Sequence, residues 1–129
     1  SYESARGAIQ KHNIGGGIFE IDLDLSHPIG YGYQDSSIPV YKNNRVWIAP
    51  SKNRFSTVGK YVNDPHVDGY ISKENLEIMK EAASIVVSKR GKGRVVLFAD
   101  NPNFRGAWYG TNKLFMNAVF FGHLIKVPQ

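Results

Sequence analysis

Asp100, Asn101, Arg105, Trp108 and Tyr109 crowd one short loop behind the apolar run 95–99. Arg105 offers a planar fork to a carboxylate, and the two rings offer flat apolar faces to a small ligand or glycan. The competing reading pairs Arg105 with Asp100 as a buried fastener, so that Arg105→Ala would harm folding more than binding. A loop leaving the carboxyl end of a strand faces the ligand crevice of open α/β sheets, which makes 100–110 the first candidate site.

Other residues carry weaker chemistry. Glu20, Asp22 and Asp24 alternate along 19–25 and could share a metal or a proton, but any solvent-facing strand gives this i, i+2 spacing. His27 lies in a strand-end loop and joins the candidate ligand-binding residues. Asp64, His66 and Asp68 alternate oxygen and nitrogen donors around an Asp-Pro turn signal. None of His12, His27, His66 and His123 has a His or Glu three or four residues on, so the zinc-peptidase helix spacing is missing. There is no G-x-S-x-G elbow, and neither glycine cluster, 15–17 or 91–93, opens a helix after a strand as a phosphate loop does. The chain has no cysteine, which excludes disulfides, thiolate metal sites and a cysteine nucleophile. No nucleophile, base and orienter assemble, so we expect no catalytic residue, metal ligand or cofactor in this chain.

Positioning these groups requires an α/β framework. The alternation at 19–25 predicts a half-buried strand, ended by Pro28. Runs 38–42 and 45–49 flank Asn43-Asn44 and predict a tight hairpin, with Pro39 marking an edge strand. Segment 50–70 lacks clear periodicity and is expected to be a long loop. Ser72 caps an expected helix 73–90 with Leu76, Met79, Ala83 and Val86 as its apolar stripe, stopped at Gly91. Run 95–99 suits an interior parallel strand, and Thr111 or Asn112 should cap a second helix over 113–122. Residues 2–12 have the composition of a helix tail. The order of strand, hairpin, helix, strand and helix predicts one domain over 1–129, built as part of a doubly wound sheet.

Composition is that of a folded globular domain, at 42% hydrophobic and 21% charged residues, with no apolar run long enough for a membrane helix. The net charge of +5 concentrates at Lys42, Arg45, Lys52, Arg54 and Lys60, a stretch without acids that is expected to be a solvated face. No nucleic-acid motif accompanies it, so neither a nucleic acid nor a membrane is an expected partner. The chain opens with Ser1 and has no basic-then-apolar leader, which reads as a removed signal or a piece of a longer protein.

Two segments carry a family resemblance. GRVVLFADNPNFRGAWYGTNKLFMNA, at 93–118, and IGGGIF followed by LDLSHPIGYG, at 14–19 and 23–32, are similar to the C-terminal domain of bacterial, Bacteroidetes-type zinc carboxypeptidases. That domain resembles class I glutamine amidotransferases. The resemblance implies a partial flavodoxin-like, amidotransferase-like sheet with flanking helices and an edge hairpin, forming the C-terminal half of a larger domain. It implies zinc in the parent's separate peptidase domain, a secreted or periplasmic location, and removal of C-terminal residues from peptides by that parent. For this chain it implies a non-catalytic accessory role with the rest of the parent polypeptide as partner, and self-association of the isolated piece. Amidotransferases use a Cys nucleophile with a downstream His and Glu, and this chain carries neither the cysteine nor a His-x-Glu pair.

Overall fold

A computed structural model describes residues 13–127; the expected helix tail at 2–12 lies outside them. Five strands form one sheet: β1 (Gly17–Leu23), β2 (Ser37–Lys42), β3 (Thr57–Gly69), β4 (Ala83–Arg90) and β5 (Gly93–Phe98). Helix α1 (Lys73–Lys80) precedes β4, and α2 (Tyr109–Phe121) follows β5. The chain is a mixed α/β structure, but all four pairings in the order β2-β1-β3-β4-β5 are antiparallel. A doubly wound sheet is built on parallel strands joined by crossover helices, so the described strands do not form one.

β1 follows its alternation. Phe19, Ile21 and Leu23 are buried, whereas Asp22 is exposed. Pro39 does sit on an edge strand, opposite Glu20, where its missing N–H costs no ladder bond. The expected hairpin does not form: β2 pairs with β1, and of 45–49 only Ile48 makes a backbone bridge to the sheet, a lone one to Ala83. Asn44 instead folds the chain back locally, its Oδ1 accepting from the Val46 amide at 2.9 Å.

The expected loop 50–70 contains the longest strand. β3 runs for thirteen residues between β1 and β4, with register shifts against both neighbours. Those bulges break the two-residue period and accommodate Pro65 inside a central strand.

The expected helix 73–90 is two elements. Ser72 does cap it, its Oγ accepting from the Asn75 amide at 3.2 Å. The helix stops at Lys80, because the Ala83 amide bonds to the Ile48 carbonyl and the Ala82 carbonyl receives the Tyr61 amide. Ile85, Val86 and Val87 favour extended backbone, and Ile85 and Val87 are buried in the sheet's core. β4 turns at Gly91–Lys92 into β5, which is an edge strand and not an interior one. Val96 and Phe98 pack on the core, while Val95 and Leu97 face solvent.

The sheet curls until its two edges meet beyond the strand ends. The Asn101 amide donates to the Tyr41 carbonyl at 2.9 Å, joining the chain that leaves β5 to β2. α2 is fastened over the core by Leu114 and by Asn117, whose Nδ2 donates to the Ile29 and Tyr31 carbonyls at 2.8 Å each. Its first turn is not capped by a side chain; Thr111 is buried and donates its hydroxyl to the Pro102 carbonyl at 2.8 Å. The outward face of α2 is apolar, with Val119 and Phe120 61% and 62% exposed.

Candidate functional site

The curled seam gathers the most polar core of the protein. β5 delivers Asp100 to the seam, where it is 8% exposed and accepts hydrogen bonds from the hydroxyls of Tyr61 on β3 and Ser84 on β4. Lys42, at the end of β2, is fully buried. Its ammonium donates to Asn44 Oδ1 at 3.0 Å, to the Val46 carbonyl at 2.8 Å and to the Ala99 carbonyl at 2.9 Å. It stands 5.0 Å from the Trp47 ring centre and 3.8 Å from Asp100 Oδ1. That last distance is beyond hydrogen-bond reach, so Lys42 and Asp100 interact as charges while neutral oxygens satisfy the three N–H groups.

Burial governs the titration of this cluster. It pushes the Asp100 carboxyl up, opposed by the Lys42 charge and the hydroxyl donors, and pulls Lys42 down, opposed by Asp100. Tyr61 is pushed above its ordinary value by burial and by the Asp100 charge. With Lys42 fully buried and Tyr61 and Ser84 nearly so, the arrangement is a clamp that closes the sheet and offers no open face to a substrate.

The remaining expected site residues separate. Asn101 is half-buried in the seam, its Oδ1 accepting from the Asn103 amide at 3.2 Å. Arg105 does not meet Asp100; it is exposed, with its guanidinium 5.1 Å from the Phe104 ring centre and a left-handed φ of 53°. Lys42 takes the place expected of Arg105. Arg105→Ala should therefore change stability by less than about 0.5 kcal/mol, as for other exposed positions, checked by thermal melting. Tyr109 is 79% exposed. The Trp108 ring centre lies 6.4 Å from that of Tyr41, itself stacked on Phe104 at 3.7 Å, and its indole N–H is buried with no partner among the described residues. These rings, with Gly16 and Asp68, line a groove of about 280 Å³.

His27 is elsewhere, at the start of the 3₁₀ turn Pro28–Gly30, where Nδ1 accepts from the Ile29 amide at 3.2 Å. Burial lowers its pKa from 6.5, opposed by the nearby Asp24 charge. The folded state thus favours the neutral ring. Its stabilisation is present above 6.5 and lost as pH falls through the lower folded value. Urea unfolding above and below 6.5 should show a loss on acidification that His27→Asn, which keeps a capping acceptor, reduces.

The other candidates resolve into structure. Glu20 accepts from the Ser37 hydroxyl at 2.6 Å, Asp24 from Ser26, and His66 bonds to the Gly69 carbonyl at 2.8 Å. Among the described residues no three His, Asp or Glu side chains come together to hold a metal. No described helix is long and apolar enough to cross a membrane. Lys42, Tyr61 and Ser84 are the polar core residues that the spacing did not reveal; the one local signal is that Lys42 continues the alternation of Ile38 and Val40 on an apolar face. Compared with protein families, curated proteins and solved structures, the chain matches none.

Proposed function

We propose that the chain is a non-catalytic accessory module of a secreted or periplasmic zinc carboxypeptidase-like parent, acting by packing against the rest of that polypeptide. The larger amidotransferase-like domain suggested by the resemblance would be completed by that neighbour. The observation that carries the proposal is the uncovered apolar face of α2, where Phe115, Met116, Val119 and Phe120 are exposed together. Apolar patches of this kind mark surfaces that a partner covers. The buried engagement of Asp100 adds support, since the most chemically suggestive residue of the loop is spent on closing the sheet.

The test is made in the full-length parent. Val119→Lys with Phe120→Lys should lower its melting temperature and its chelator-sensitive peptidase activity, while the isolated chain keeps its own fold. Unchanged melting and activity would remove the accessory reading. The isolated chain should also self-associate through the same face, and light scattering should find the double variant monomeric.

A second reading, a binding module for a small ligand or glycan at loop 100–110, is favoured by the unpartnered Trp108 N–H beside the aromatic groove. Trp108→Phe would then abolish a tryptophan-fluorescence response to oligosaccharides.

A further inference from the structure

The loop after β1 builds a concavity of about 270 Å³ that shares no lining residue with loop 100–110. Asp24, Ser26, His27, Phe55, Leu124 and Lys126 line it. Three kinds of chemistry meet there. Asp24 is exposed, and its Oδ1 accepts from the Ser26 amide and hydroxyl at 2.9 and 2.6 Å, bonds that do not use the other oxygen. Lys126 is exposed as well, and no ion pair joins it to Asp24 among the described residues. His27 is 8% exposed; because Nδ1 accepts from Ile29, the neutral ring carries its proton on Nε2, which is buried with no hydrogen-bond partner among the described residues. Phe55 and Leu124 supply an exposed apolar wall.

Each simple ligand class meets an obstacle. A bare anion drawn to Lys126 is repelled by Asp24, and a bare cation drawn to Asp24 is repelled by Lys126. A small molecule carrying both charges and an apolar group avoids both penalties. We propose that this pocket binds a free α-amino acid with an apolar side chain. Its carboxylate is received by Lys126, its ammonium by Asp24, and its side chain by Phe55 and Leu124. The inference stands on the pocket's own chemistry and holds whatever the parent's activity.

Titrating the 129-residue chain with L-leucine, followed by heteronuclear NMR, should give saturable shifts at 24–29 and 124–126 with millimolar affinity. Leucinamide lacks the carboxylate and isocaproate lacks the amine, and each should bind about tenfold more weakly. Lys126→Ala, at an exposed position, should weaken leucine binding by about the same factor without altering the rest of the spectrum. Asp24→Asn keeps an acceptor for Ser26 and should weaken leucine binding while improving that of isocaproate. Absence of saturable shifts with leucine, equal affinities for the three ligands, or an unchanged ranking in Asp24→Asn would each overturn the proposal.

Discussion

Replacing Lys42 with methionine is expected to cost about 3–5 kcal/mol of folding stability, the loss seen when one member of a buried ion pair is removed. Methionine fills much the same volume, so the loss reports polar interactions more than a cavity. The Val46 and Ala99 carbonyls lose a donor, and Asp100 keeps its burial without its cation. A domain of ordinary stability, about 5–15 kcal/mol, would lose a large share of it. Urea unfolding measures the effect. The double variant Lys42→Met, Asp100→Asn should be less damaged than the sum of its single changes, since the charge stranded in one is absent from the pair. A midpoint shift no larger than that of an exposed substitution would mean that Lys42 does not hold the seam.

This clamp also shows where the sequence could be read and where it could not. Asp100 leaves the apolar run 95–99, and one of the two sequence readings pairs it with Arg105, the nearest cation along the chain. The partner that the fold supplies is Lys42, brought there only because the sheet curls and joins β5's exit to β2. No local pattern encodes that closure. β1 was legible for the opposite reason: one face is buried and the other solvated, so its alternation survives along the strand.

β3 and β4 were illegible for two further reasons. The bulges around Gly59 and Pro65 remove the period of two from β3, leaving a central strand that reads as a loop. β4 is buried at five successive positions from Ala83, and a short continuous apolar run fits a helix stripe as readily as a covered strand. The β-branched residues at 85–87 and the early stop at Lys80 decide between them. The candidate site followed the same division. Loop 100–110 carries the candidate residue types together in sequence, yet its acid faces the core, its arginine faces solvent and its tryptophan faces a groove.

Gly69→Ala should cost about 3 kcal/mol, the upper end of the strain of one unfavourable backbone conformation, because strain and collision act together there. Gly69 ends β3 opposite Gly17 with a φ of +89°, a region that side chains rarely adopt. A Cβ there would lie 2.6 Å from the Gly16 carbonyl oxygen and 2.7 Å from the Gly17 Cα. Both are backbone atoms, so no rotamer change relieves the contact, and the start of β1 has to move. Gly91→Ala separates the two contributions. Its φ is +57° and a Cβ would meet nothing within 4 Å, so it bears conformational strain alone and should cost about 1 kcal/mol. Hydrogen exchange extends the comparison: Gly69→Ala should speed exchange of the Gly17 to Phe19 amides, and Gly91→Ala should leave them protected. Equal costs for the two variants would mean that β3 and β1 are not held at this close approach, and the groove beside Trp108, which both Gly16 and Gly69 line, would lose its shape with them.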